Sequence, residues 1–166
     1  MTIRMAGTTG TETEPVSTNH GPAAPKWVSA PKAIVTRLLK AGAPLGPNGL
    51  ITIRGRKSGL PRTTPVAIIG VDGRRWIWAP WGGSQWVRNL RAAGKATITV
   101  KRRQEAVRAV ELDATQRAEW FRDTLGPFAR KMRGGIWFLR TVDQTDVDDP
   151  VAAAQGRAVF ELLPMD

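Results

Sequence analysis

Arg56, Lys57 and Arg62 are crowded into Gly55-Arg56-Lys57-Ser58-Gly59-Leu60-Pro61-Arg62-Thr63-Thr64-Pro65, a stretch that also holds two glycines and two prolines. Arg56 and Arg62 can fork onto phosphate or carboxylate oxygens, and Lys57 adds a point charge. Gly55 and Gly59 let backbone N–H groups approach an anion closely. Pro61 and Pro65 stiffen the connection and so lower the ordering cost of binding. The chemistry on offer is anion capture; the competing reading is a solvated basic turn.

A second cluster is Trp76-Ile77-Trp78-Ala79-Pro80-Trp81-Gly82-Gly83-Ser84-Gln85-Trp86-Val87-Arg88-Asn89-Leu90. Trp76 and Trp78 have strand spacing and suit a core. Trp81 and Trp86 flank a Gly82-Gly83 turn that leads into a helix start, where free N–H groups and the positive end of the helix dipole meet a flat apolar surface. A planar aromatic ligand with an anionic tail fits such a place. Trp86 could equally plug the helix onto a barrel, with Asn89 a capping or solvent residue.

Other chemistry is scarce. The chain has no cysteine and no tyrosine, and its one histidine, His20, lies in a polar N-terminal stretch. It carries no nucleophile elbow, zincin helix, phosphate-binding P-loop or dinucleotide fingerprint. The carboxylates Asp143, Asp146, Asp148 and Asp149 sit together but lack the central glycine and terminal glutamate of a calcium loop. They read as a solvated loop and helix cap, with no metal site expected. Any difficult chemistry must come from a cofactor.

These residues need elements to position them. Residues 1–25 read as a disordered tail and 26–166 as a single domain. A helix is predicted over 31–41, with Ile34, Val35, Leu38 and Leu39 as its apolar stripe. Strands are predicted at Leu50–Ile53, Pro65–Val71, Arg75–Ala79, Ala96–Lys101 and Ala106–Leu112, with a hairpin at Asp72-Gly73. Ser84 should cap a short helix that Gly94 stops. Asp113 or Thr115 should start a longer helix reaching about Lys131, with Trp120, Phe121, Leu125 and Phe128 inward. Gly134–Arg140 reads as a strand or an aromatic lid, Asp149–Gln155 as a short helix, and Ala158–Leu162 as the last strand. The order points to α+β, a small antiparallel barrel with helices at its side and ends.

The window from Arg54 to Arg108 holds thirteen Lys/Arg and two acids, Asp72 and Glu105, and so carries the whole formal charge of +11. Such a field attracts a polyanion: nucleic acid, acidic lipid, or a phosphorylated or carboxylated small molecule. No apolar run approaches the length of a membrane span and no signal-peptide core is present, so a cytoplasmic location is the default expectation.

Together the two clusters resemble the deazaflavin-dependent nitroreductase family, whose members bind coenzyme F420 on an FMN-binding-like split β-barrel. The family's TTxGRKSGxPRxxP loop stands here as TIRGRKSGLPRTTP, its DG hairpin at Asp72-Gly73, its GG turn at Ala79–Gly83, its WxxNL helix at Trp86–Leu90, and its ELLP strand at 161–164. The resemblance covers roughly residues 32–164. It implies that Arg56, Lys57, Ser58 and Arg62, with Arg54 assisting, hold the cofactor's phosphate and the start of its oligoglutamyl tail. The backbone at Pro65, Val66 and Ala67 and at Ala79, Pro80, Trp81 and Gly82 would line the ring, with Trp86 and Asn89 closing the pocket. Lys101, Arg102 and Arg103 would extend the anion path or form a solvated turn.

The implied activity is hydride transfer from reduced deazaflavin to a small-molecule acceptor such as a quinone, an activated enone or a nitro compound. Main-chain N–H groups of the GG turn or the Ser84 hydroxyl would polarise the acceptor, and water would supply the proton. Many relatives carry Ser-Lys where this chain has Pro80-Trp81, and those that reduce bulky nitro compounds place tyrosines over the ring. Nitroimidazole reduction is therefore not expected, and Trp120, Trp137 and Phe138 are candidates for the substrate side. FMN is the second-choice cofactor. A basic nucleic-acid-binding module is the alternative from a different class, although no nucleic-acid partner is expected. Split barrels of this kind often dimerise, so a homodimer is allowed for, while nothing supports peripheral membrane contact.

Overall fold

The computed structural model describes residues 32–42, 47–141 and 143–166. The expectations for residues 1–25, His20 and Pro31 lie outside the described residues. Six strands, β1 (Asn48–Arg54), β2 (Pro61–Val71), β3 (Arg74–Trp78), β4 (Lys95–Val100), β5 (Arg103–Glu111) and β6 (Val159–Pro164), close into an antiparallel barrel in the order β1-β2-β3-β6-β5-β4. Closure removes the unpaired edges that an open sheet exposes. The helices are α1 (Lys32–Lys40), α2 (Gln85–Ala93), α3 (Ala114–Trp120), α4 (Gly126–Lys131), α5 (Gly135–Thr141) and α6 (Pro150–Ala154).

Alternation along the strands builds two cores. One face sends Ile51, Ile53, Val66, Ile77, Val107, Phe160 and Leu162 into the barrel, where α2 adds Val87 and Leu90. The other face of β2 and β3 sends Ile69, Trp76 and Trp78 outward, under a layer formed by Trp120, Phe121, Leu125, Ala129 and Leu139. Trp78 meets Phe121 edge-on at 5.5 Å between ring centroids, a favoured aromatic geometry. Both faces of these strands are covered, so the tryptophans on β3 are core residues just as their two-residue spacing predicts.

Several boundaries differ from the sequence reading, each for a local reason. β2 begins at Pro61 rather than Pro65, because Pro61, Arg62, Thr63 and Thr64 pair with Arg54, Ile53, Thr52 and Ile51. The cationic connection thus shrinks to residues 55–60. Ser84 precedes α2 but makes no capping bond; its hydroxyl donates to Trp81 O at 3.2 Å. Gly94 does stop that helix, at φ 65°, with its N–H on Leu90 O.

Asp113 caps α3 with a reciprocal Asp113–Gln116 box. The long helix beyond it widens into a π-helical turn over Phe121–Leu125, where Gly126 N–H reaches Phe121 O. Pro127 explains the widening: it has no N–H to give the carbonyl of Asp123, and its ring crowds that carbonyl. The stretch Gly134–Arg140 is neither strand nor free lid but helix α5. Ile136 and Leu139, three residues apart, pack on one side of that helix, while Trp137 and Phe138 between them are exposed. At the β4–β5 turn Lys101 and Arg102 take φ of 47° and 67°. Arg102 donates to Ala41 O at 2.9 Å, tying the turn to the end of α1.

Candidate active site

The loop between β1 and β2 is closed by its own backbone. Gly55 N–H donates to Leu60 O and Gly59 N–H to Gly55 O, both at 2.8 Å. Gly59 sits at φ +68°, which demands glycine, and a Cβ on Gly55 would lie 2.9 Å from Ser58 Oγ and 3.2 Å from Leu60 O, a tight fit. Ser58 Oγ accepts from Leu60 N–H at 3.3 Å. This tight turn leaves the Arg56, Lys57 and Ser58 side chains exposed at its tip, with Arg54 and Arg62 exposed at its two strand ends.

Helix α2 anchors the loop. Asn89, 7 % exposed, accepts from Arg56 N–H at 3.2 Å and from Arg56 Nη1 at 3.0 Å, and Gln85 Oε1 accepts from Nη1 at 3.1 Å. Asn89 is therefore turned to the loop, and Trp86 packs on the barrel core with its ring 6.1 Å from Phe160. Gln85 has a part that the sequence reading missed; an amide at helix spacing four before Asn89 was its only signal.

Charge separates this loop from the rest of the basic window. Arg74, Arg75 and Arg91 are held bidentate by Glu161, Glu105 and Glu111. The Arg74 hydrogen bonds keep Glu161 below the usual carboxylate range. Among the described residues, Arg54, Arg56, Lys57 and Arg62 are in no ion pair. The loop is thus an uncompensated cationic turn, a donor set suited to phosphate and carboxylate oxygens.

Beyond the loop, β2 runs past Pro65 and Val66 to Ala67. Val66 points into the barrel and is buried, whereas Ala67 opens on a cavity of about 510 Å³. Ile69, Trp78, Phe128, Trp137 and Phe138 give this cavity apolar and largely aromatic walls. Its size and lining suit a flat organic ring. Trp137 and Phe138 both line this cavity, whereas Trp120 does not: it is 4 % exposed and packed on Trp78 and Phe121 in the outer core.

Asp143 also lines this cavity, at 7 % exposure, and its carboxyl makes no hydrogen bond to any described residue. Burial pushes it up to about 7, against the opposing pull of the Arg157 guanidinium. Composition counted Asp143 with its neighbours as one polar cluster. The structure divides them: Asp148 pairs with Arg130 and Arg140, Asp146 with Arg140, and Asp149 caps α6. Nothing in the local sequence separates the buried carboxylate from the exposed ones.

Ala79, Trp81 and Gly82 line a different cavity, of about 490 Å³, on another side of α2. Pro80 O accepts from Arg157 Nε at 2.9 Å. The residues singled out in the sequence are therefore distributed over three neighbouring places: the loop with Asn89, the apolar cavity reached through Ala67, and the GG-turn cavity.

Known proteins bear on this arrangement. A solved F420-H2 dependent reductase is 20 % identical over 70 % of this chain and 93 % of that one, with a TM-score of 0.45. A pyridoxamine 5'-phosphate oxidase-related, FMN-binding protein from Nostoc punctiforme is 11 % identical, covering 82 % and 81 % of the two chains, with a TM-score of 0.47. A conserved hypothetical protein from Mycobacterium tuberculosis is 16 % identical, covering 81 % and 80 %, at 0.41. The family model for F420H(2)-dependent quinone reductase matches residues 19–130, which include the cationic loop, the GG turn and all of α2. The chain belongs to the F420H(2)-dependent quinone reductase family and is an oxidoreductase that works with coenzyme F420.

Proposed function

We propose that this chain reduces a quinone-type acceptor in the apolar cavity beside Ala67, with the anionic part of the cofactor held on the 55–60 loop. The observation that carries this reading is the course of β2. β2 leads from the uncompensated cations at its loop end, where Arg54 pairs with Pro61 on the strand face that Ala67 shares and Arg62 lies on the opposite face, to an aromatic-walled cavity at Ala67, five residues beyond Arg62. At about 3.4 Å per residue that is roughly 17 Å, a span matched to a ligand with a flat head and a charged tail. Arg54, Arg56, Lys57, Ser58 and Arg62 hold the tail, and the backbone of Pro65–Ala67 flanks the ring.

When bound, the reduced deazaflavin supplies hydride. The protein supplies position and a dry, apolar setting. Asn89 contributes by fixing the loop through Arg56, and Trp137 and Phe138 shield the acceptor face. Among the described residues, Asp143 is the one carboxyl in the cavity lining. The buried indoles argue against a nucleic-acid module: Trp76, Trp78 and Trp120 are each 4 % exposed, which leaves no stacking platform on the basic strands. We leave a homodimer as part of this reading, to be checked by sedimentation of the full chain.

The test is titration of the protein with oxidised F420 and, in parallel, FMN, followed by tryptophan fluorescence. Saturable quenching by the deazaflavin and not by FMN is expected. Arg62→Ala should weaken deazaflavin binding by about 1.5–3 kcal/mol, the scale of a charge-assisted hydrogen bond. Unaltered affinity in that variant would remove the loop from the cofactor site.

A further inference from the structure

The apolar cavity beside Ala67 holds few groups that could take part in a reaction. Apart from indoles, the polar side chains among the described residues of its lining are Asn48, Arg133 and Asp143. Indole and amide N–H groups are not acids in water, and a guanidinium keeps its proton at any pH a protein meets. Asp143 is thus the side chain of that lining able to release one.

The chain around Asp143 is pinned. Its N–H donates to Phe138 O at 3.4 Å, and its carbonyl accepts from Thr145 Oγ1 at 3.2 Å. Thr145 N–H donates to Leu139 O at 2.8 Å, so the segment is tied to α5 twice. Between the two, Gln144 is held at φ 51°, a left-handed conformation that strains a residue with a side chain. Arg157 Nη2 secures the Gln144 carbonyl at 2.9 Å.

The carboxyl is left out of this bonding. Among the described residues, the side-chain polar atoms sealed away without a partner belong to Trp76, Trp81, Arg117 and Trp120, and not to Asp143. With neither a partner nor a seal, the Asp143 carboxyl opens on the cavity it lines. A fixed backbone with an unbonded carboxyl suits a group presented to a ligand better than one that braces the fold.

The surrounding charge suits release of a proton and its recovery. Burial pushes the carboxyl up to about 7. Arg157 acts on it as an opposite charge, yet spends its own hydrogens on Pro80 O, Ala153 O and Gln144 O. A carboxylate formed here therefore feels the Arg157 charge without an ion pair that would hold it permanently ionised. Arg133 is the other charge on the cavity wall. The exposed Arg130, Arg140, Asp146 and Asp148 are taken up in ion pairs with one another.

We propose that Asp143 is the proton donor to the acceptor reduced in this cavity, an inference that rests on the placement of the acceptor there. Reduction of a quinone to its hydroquinone adds one hydride and one proton. The hydride brings both electrons and comes from the reduced cofactor. The Asp143 O–H bond breaks as an O–H bond forms on an acceptor oxygen, and the carboxylate left behind regains its proton from water. The sequence reading gave the proton to water directly; packing supplies a carboxylic acid in its place.

The experiment compares the full chain with Asp143→Asn, which keeps the size of the side chain and removes its acid. Carboxyl 13C shifts of the cofactor-free protein are followed against pH, with Asp143 assigned as the signal missing in the variant. A midpoint near 7 is expected, and the same signal should move when duroquinone is added. With reduced F420 and duroquinone, Asp143→Asn should slow hydride transfer about a hundredfold and leave deazaflavin affinity unchanged. The wild-type rate should fall as pH rises through about 7, because the protonated acid is the active form, and the variant should lack that bend. Should the variant not fold, the wild-type midpoint and bend decide. The donor role alone is overturned if the wild type reduces duroquinone while the variant keeps its rate or its bend, or if the carboxyl titrates near ~4 like a solvated aspartate. A wild type that neither reduces duroquinone nor shifts its Asp143 signal with it overturns the acceptor's placement, and the donor role with it.

Discussion

Asp143 shows how much one side chain can owe to its surroundings. Its folded-state value of about 7 lies above that of an unfolded aspartate, about 4. Between those two values the folded protein keeps a proton that the unfolded chain has released. Stability should therefore fall as pH rises from about 4 to about 7 and level off above that window. The charged neighbours on the packed elements are Arg157 and, on the same cavity wall, Arg133. In urea unfolding at pH 5 and pH 8, Asp143→Asn should shrink the difference seen in the wild type; an equal difference in both proteins refutes the assignment. Asn89 offers a second test at this scale. Its Oδ1 takes both the main-chain and side-chain N–H of Arg56. Asn89→Ala should expose the Arg56 amide to hydrogen exchange and weaken deazaflavin binding together, whereas unchanged protection would mean the loop closes without its helix anchor.

Among the elements, the α4–α5 corner is the least forgiving. A Cβ on Gly135 would sit 2.3 Å from Ala129 O, a backbone atom that cannot swing aside. Gly135→Ala should cost about 1–3 kcal/mol, as overpacking does, and disturb the aromatic wall of the apolar cavity that α5 carries. Gly70, on β2, has nothing within 4 Å of its added Cβ and no positive φ. Gly70→Ala should be neutral or slightly stabilising, since it only restricts the unfolded chain. Comparison of the two urea midpoints separates packing from chain entropy; equal shifts would contradict the corner geometry. The existence of these elements was legible in spacing and punctuation, as at Asp72-Gly73 and Gly94. The type of α5 was not, because Gly134–Arg140 is short and apolar enough to serve either as strand or helix until its neighbours choose.

At the scale of the molecule, the charge of +11 is not one field. Ion pairs across the barrel remove Arg74, Arg75 and Arg91 from it; of the other cations in that window, Arg54, Arg56, Lys57 and Arg62 gather at the 55–60 loop, while Lys95, Lys101, Arg102, Arg103 and Arg108 are strung along β4 and β5. Deazaflavin affinity should therefore drop steeply as salt is raised to about half-molar, where the screening length falls to a few Å. An affinity insensitive to salt would show that burial of the ring, not charge, dominates binding. No helix among the described residues is long and apolar enough to cross a membrane.

By itself the sequence determined the local chemistry: the cation-rich turn, the glycines it requires, the strand alternation that makes Trp76 and Trp78 core, and the family motifs. These depend on residues near one another in the chain, so spacing carries them. Tertiary structure alone decided which polar groups are left without partners. Asp143, Arg117 and Arg157 look in sequence like their solvated neighbours, yet packing from distant segments buries or orphans them. Burial and charge compensation arise from contacts between α2, α3 and the link into β6, and no local pattern records which of those contacts will form.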